Sequence, residues 1–323
     1  MCYGVLGDME RIATMAVIEW CRKNAPTLWK DLPDDELLKK MKPQLEILGD
    51  LSTSNVTKSV EYDPSDINQC LDYIVLELNR EFGNKLAFKG GYMLTKLMKA
   101  RARQTADVDF SILTGELYEL IKDKLTQVSG HLISVGAIDT YKIKETIKPT
   151  MSGGVDMYKD GVKMLGVDVG WHDITYGTVI RKLDVGDLNS FEVERMLADK
   201  ITAILSRKRF RRPKDIYDLY CISETMSFDA YKIAQYIDRR TEGAGADWHN
   251  LPFSDYIVRE YRKAYNSLKL TSAYTGEELV RPQFDDVLDR FNEIAYRVKG
   301  PNFEYHVWDV NKHCFVNERG SIC

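Results

Sequence analysis

Apolar positions along the chain fall into two periods, and the change of period divides it. Over residues 9–23, Ile12, Met15, Ala16 and Trp20 recur at helical spacing among charged residues, which predicts an amphipathic helix. A second short helix is expected over 34–41, with an acidic start that suits a helix N-terminus. Residues 49–65 are rich in Ser, Thr, Asn and Asp without a period and read as a linker. Helical spacing resumes over 66–82 (Ile67, Cys70, Leu71, Ile74, Leu78). A short apolar run, 86–88, then stops at Gly90-Gly91, and 92–100 is again helical.

Strand character dominates next. Val108, Phe110 and Ile112 alternate with Asp107, Asp109 and Ser111, the period of a two-faced strand. A helix is expected over 116–128, followed by strands near 131–138, 139–147, 163–169 and 178–183. Ser152-Gly153-Gly154 and Asp160-Gly161 are turn signals, the second a hairpin candidate. From Ser190 the pattern becomes helical: 192–207, then, after the break at Pro213, 214–223, 228–240, 253–266 and 283–299. Phe303, Tyr305 and Val307 alternate like a short strand.

These elements predict an α+β protein: a helical leader (1–64), a mixed sheet core (65–186), a helical domain (187–300) and a tail (301–323). A length of 323 residues fits about two domains. Net charge of −4 excludes a globally basic nucleic-acid binder, although not a local basic patch. The six cysteines are scattered singly, without CxxC spacing, which predicts reduced thiols. The first residues interrupt their apolar stretches with charge, and no run approaches the ~18–20 apolar residues of a membrane span. A cytoplasmic protein without membrane association is expected.

Chemistry concentrates around Asp107 and Asp109. Two residues apart on a strand, they project from one face, and paired carboxylates repel unless a cation lies between them. Hard oxygen ligands suit Mg2+ or Mn2+ together with substrate phosphates. The alternative is an exposed strand bearing two solvated acids. Gly90-Gly91 is a second element: following a strand and opening a helix, it lets backbone N–H groups approach an anion. Asp168, set between Val167 and Val169, could deliver a third carboxylate from a neighbouring strand, or be an edge-strand acid facing water.

The run LAFKGGYMLTKLMKARARQTADVDF resembles the motif of the nucleotidyltransferase-fold superfamily and, more narrowly, of the AbiEii-type branch, the toxins of type IV toxin–antitoxin and abortive-infection systems. That branch is similar in its Lys-Gly-Gly start (Lys89, Gly90, Gly91), an Arg-x-Thr before the acids (Arg103, Thr105), an Ala-x-Lys helix (Ala198, Lys200) and an Asp-x-x-Asp (Asp215, Asp218). The likeness covers about 86–220. It departs in the 15 residues between Gly91 and Asp107, somewhat more than the commonest spacing.

The resemblance implies a nucleotidyltransferase-like mixed sheet followed by a helical bundle. It also implies two-metal transfer of an NMP from an NTP, with Asp107, Asp109 and Asp168 as metal ligands and Asp168 also holding or activating the acceptor hydroxyl. Lys89, Gly90, Gly91, Arg103 and Thr105 would bind the nucleotide. Lys200 would neutralise phosphate charge, and Asp215 would orient a polar partner or act as base. The acceptor would be RNA, such as a tRNA 3′ end, or a protein, and an antitoxin would be the cognate partner.

The basic run Arg207, Lys208, Arg209, Arg211, Arg212 and Lys214 around Phe210 is the strongest charge feature of the chain. It reads either as a phosphate or acceptor patch or as a solvated helix end. Phe210 could stack on a base or be buried, and His172 could face the site or be merely structural. Two other function classes stay open: a small-molecule nucleotidyltransferase with a closed acidic pocket, and a catalytically silent nucleotide-fold module.

Overall fold

The structure, a computed structural model, describes residues 62–113, 117–144, 152–171, 177–206, 210, 212–238, 246–300, 306–317 and 322. The expected helices over 9–23 and 34–41 and most of the linker lie outside them.

Asp66 caps the first described helix, α1 (Ile67–Phe82), its carboxylate accepting from the Asn68 and Gln69 amides. Cys70, Leu71, Ile74, Val75 and Leu78 form its buried stripe, each large side chain contributing about 1.5–3 kcal/mol by burial. Next come β1 (Leu86–Lys89), α2 (Gly90–Met98), β2 (Asp107–Ile112) and α3 (Tyr118–Ser134). β3 (Thr140–Lys144), β4 (Ser152–Lys159), β5 (Val162–Trp171), β6 (Thr178–Leu183) and β7 (Gly186–Phe191) complete a seven-stranded mixed sheet, ordered β3-β4-β5-β2-β1-β7-β6. The helices α4 (Val193–Leu205), α5 (Pro213–Ser223), α6 (Ala230–Asp238), α7 (Asp255–Asn266) and α8 (Phe284–Lys299) follow. A small sheet of β8 (Phe228–Asp229), β9 (Val307–Asp309) and β10 (Cys314–Val316) closes around Trp308, whose indole N–H donates to the Ser223 carbonyl at 2.8 Å. The fold is α+β, as the sequence predicts.

Three expectations are corrected. The strand near 131–138 is instead the last turn of α3 and its exit: Leu132 continues the helical stripe of Leu125 and Val128, and Gly136, at φ 75°, terminates it. A short apolar run suits a buried helix face as well as a strand, so periodicity alone misplaced it. Ser152-Gly153-Gly154 is not a turn but the start of β4. Its glycines answer to crowding: a Cβ on Gly153 would meet the Tyr118 hydroxyl at 2.1 Å, and one on Gly154 the Val167 carbonyl at 1.8 Å. The third concerns the helical pattern expected from Ser190: β7, with the polar sequence GDLNSF, continues as a strand through Phe191. It pairs with β1 and β6, and Asn189 donates to the Leu86 carbonyl at 2.8 Å, so its polarity is satisfied inside the fold.

The Asp160-Gly161 hairpin forms, with both residues at positive φ (50° and 74°). Residues 303 and 305 lie outside the described residues, while Val307 begins β9. The described cysteines, Cys70, Cys221 and Cys314, are free. No described helix is long and apolar enough to cross a membrane.

Candidate active site

β2 lies between β1 and β5, antiparallel to the first and parallel to the second. In that register Lys89 faces Asp109, Asp109 faces Asp168, and Asp107 faces Gly166. Val108 and Phe110 are fully buried on the opposite face, as are Val167 and, nearly so, Val169 beside Asp168. Two alternating strands in parallel register thus bring carboxylates 59 positions apart in sequence side by side.

Helix α2 delivers its N-terminus to these acids. Gly90, at φ 69°, begins it, and a Cβ there would stand 2.1 Å from Asp109 Oδ2. At Gly91 a Cβ would meet Thr105 Oγ1 at 2.8 Å. The double glycine is therefore required twice, by the positive φ and by the close approach.

Burial raises the Asp109 pKa, and Asp168 and Asp107 raise it further against the opposing charges of Lys89 and Lys200. Asp107 Oδ1 is shielded from solvent without a hydrogen bond of acceptable geometry, although Lys163 Nζ lies 3.0 Å away. A crowded, oxygen-only donor set, with a shielded Asp107 Oδ1 met by the Lys163 ammonium, fits a hard divalent cation. Among the described residues, however, no three such side chains stand gathered as a ready-made metal cluster. Asp168, about half exposed, instead contacts Lys144 at 2.5 Å.

The helical part contributes a second charged group. Lys200 on α4 donates to Asp218 Oδ2 at 2.7 Å and lies 3.2 Å from Asp215 Oδ1, both on α5. Arg103 forks on to the same Asp218 carboxylate through Nε and Nη2, each at 2.8 Å. The buried Asp218 thus accepts from two cations. Burial alone would raise its pKa, but Arg103 and Lys200 outweigh that and hold it at about 2. Burial would likewise lower the Lys200 pKa, and the Asp218 and Asp215 carboxylates raise it instead. Arg103, expected from the sequence to bind nucleotide, has its guanidinium fork on Asp218.

One cavity of about 540 Å3 gathers Lys89, Gly90, Gly91, Arg103, Thr105, Asp107, Asp109, Asp168, Lys200, Arg212 and Asp215. Arg207, Lys208, Arg209, Arg211 and His172 lie outside the described residues. Phe210 packs edge-on against Tyr261, with ring centroids 6.3 Å apart, and remains partly exposed. The sequence reading missed Asp218 as a site residue, although it closes the Asp-x-x-Asp motif. It also missed Phe191, on which Lys89 and Arg195 both lie, 5.2 and 3.8 Å from the ring centroid. Phe191 carried no signal, because β7 itself was not recognised.

Residues 75–292 match the family described as nucleotidyl transferase AbiEii toxin, type IV TA system. No curated protein matches the sequence. Among solved structures, the chain is similar to JHP933 from Helicobacter pylori (12% identity, 74% of this chain and 93% of that one, TM-score 0.44). It is also similar to MenT4, a nucleotidyltransferase toxin from Mycobacterium tuberculosis (13% identity, 75% and 94%, TM-score 0.38). A third similarity is to the Megavirus polyadenylate synthase (13% identity, 84% and 57%, TM-score 0.35). The family match spans two thirds of the sequence: the chain belongs to the AbiEii nucleotidyltransferase toxin family and is a nucleotidyltransferase.

Proposed function

We propose that this member of the AbiEii family transfers an NMP from an NTP to a 3′ hydroxyl of RNA, a tRNA end being one such acceptor. It would do so with two divalent cations, Mg2+ or Mn2+, and as the cytoplasmic toxin of a pair whose antitoxin restrains it. The observation that carries this reading is the parallel register setting Asp109 directly opposite Asp168 beside a glycine-opened helix N-terminus.

The roles follow from placement. Asp107 and Asp109, with Asp168, would hold the cations, which when bound offset the charge gathering on the transferred phosphorus and the departing pyrophosphate. Gly90 and Gly91 present the first backbone N–H groups of α2, without a side chain in the way, to the triphosphate. Lys89 and Thr105 flank that approach. Lys200 spends two of its three N–H donors on Asp218 and Asp215, and the third can meet a phosphate oxygen. Asp215 steadies the ammonium, and Arg103 acts through Asp218. Asp168 takes the proton of the acceptor hydroxyl as the new O–P bond forms and the bond to pyrophosphate breaks.

An acceptor that arrives from solvent is favoured by the half-exposed Asp168 and by the basic run 207–214. A small-molecule enzyme would call for a closed acidic pocket. Retention of all three acids in one cavity argues against a silent module. The experiment is Mg2+-dependent incorporation of labelled NTP into total RNA or protein. Label in RNA with wild type, lost in Asp107→Ala, supports the reading. Label in protein only removes the RNA acceptor, and no NTP consumption with any pool removes the enzyme.

A further inference from the structure

Two lysines with no part in the proposed transfer share the sheet face of the carboxylates. The paired strands place Lys144, Gly154, Asp168 and Asp109 in one row across β3, β4, β5 and β2. The next row is Lys142, Asp156, Gly166 and Asp107. Side chains two residues apart share a face, so both rows project the same way.

Lys163, an odd number of positions from Gly166, would point away if β5 ran regularly. It does not: the register shifts between Met157 and Tyr158, so Leu165 faces Met157 but Lys163 faces Tyr158. This bulge turns Lys163 on to the face of Asp156. Gly166 leaves the space, since a Cβ there would stand 2.2 Å from Asp107 Oδ1 and 2.8 Å from Lys163 Nζ.

A chain of alternating charge results. Asp168 contacts Lys144 at 2.5 Å, Lys144 contacts Asp156 at 3.2 Å, Asp156 contacts Lys163 at 2.9 Å, and Lys163 contacts Asp107 at 3.0 Å. Asp156 holds both ammonium groups, and each also neutralises one acid of the site. The glycine turn takes the β1 side of Asp109, and these partly exposed lysines stand on the opposite side, towards β4 and β3.

We propose that Lys144 and Lys163, bridged by Asp156, form a clamp for the acceptor RNA backbone, armed when divalent cations displace them from Asp168 and Asp107. This inference rests on the reading of the chain as an RNA nucleotidyltransferase. A divalent cation outcompetes an ammonium for hard carboxylate oxygens and repels it at short range. Each released ammonium keeps its charge and gains free N–H donors, which suit phosphate oxygens without reading sequence.

The test measures binding of a fluorescein-labelled single-stranded RNA to the full chain by anisotropy. NTP is absent, and Mg2+ is added or omitted at matched ionic strength. Wild type should bind about fivefold or more tightly with Mg2+. Lys144→Gln/Lys163→Gln should bind about tenfold more weakly in Mg2+ and lose the Mg2+ response, while Lys144→Arg/Lys163→Arg retains both. Lys263→Gln/Lys312→Gln, an equal charge change at exposed positions outside the cavity, should behave as wild type. Mn2+ affinity of the Gln variant should equal or exceed that of wild type, because competing cations are gone.

In turnover, the Gln variant should raise KM for RNA and leave KM for NTP within about twofold. Unchanged RNA binding in a folded Gln variant overturns the clamp, as does an Mg2+ response that survives there. If wild type labels protein and binds no RNA, the clamp falls with the RNA acceptor. If no NTP is consumed, the transferase reading fails separately, and the binding arm still decides the lysines.

Discussion

Asp109 and Asp168 stand directly opposite each other on the parallel strands β2 and β5. Burial and the facing carboxylate together make the ionised form of Asp109 costly. A fold that keeps such a pair sacrifices stability for a site. Asp109→Asn should abolish labelled-NTP incorporation and, without divalent cations, raise the melting temperature by about 2–4 °C. A less stable variant with activity intact would show that the carboxylate serves the fold instead.

Gly90 is held by both conformation and space. Gly90→Ala must adopt φ near 69° and push a methyl group into Asp109, at a cost of about 2–5 kcal/mol, with loss of NTP binding. Gly136→Ala, at φ 75° with nothing within 4 Å of the added Cβ, should cost only about 1–2 kcal/mol. Urea denaturation of the two variants separates the terms; equal losses would mean that the approach to Asp109 is not tight.

Asp218 joins the helical part to the sheet core through Arg103. Asp218→Asn leaves two buried cations poorly compensated and should cost about 3–5 kcal/mol. Arg103→Lys gives up the fork and should lower transfer activity about tenfold even where the protein stays folded. Thermal melts alongside initial rates check both; an Arg103→Lys enzyme at wild-type rate would show that the fork is dispensable.

The same carboxylate sets a pH dependence. Its folded pKa, about 2, lies below an unfolded value near 3.9, so the unfolded chain binds more protons between those limits. The Asp218 contribution is therefore complete above about pH 4 and is lost as pH falls towards 2. The stability gap between wild type and Asp218→Asn should stay flat from pH 5 to 7 and shrink on acidification. A gap that grew on acidification would contradict this assignment.

The sequence made the centre of this arrangement legible, because Asp107, Asp109 and Asp168 sit on strands whose alternation is clean. Their apolar neighbours on the other face announce both the strand and its orientation. The rest depended on pairing, which one chain of letters does not carry. Asp218 reads as a helical acid until Arg103, 115 positions away, closes on it. Lys163 becomes a neighbour of Asp107 only through a bulge in β5. Ser152-Gly153-Gly154 looked like a turn and GDLNSF showed no strand period, because tight contacts and internal hydrogen bonds there demand residues that usually mark turns.

The central claim is that these carboxylates support metal-dependent transfer of a nucleotide to RNA. The most direct measurement incubates wild type and Asp107→Ala with α-labelled NTPs and total RNA, with Mg2+ or EDTA, and follows label in the RNA fraction. The expected result is label in wild type with Mg2+, and none with EDTA or in the variant. Equal labelling by the Asp107→Ala protein, or label unaffected by EDTA, would contradict it.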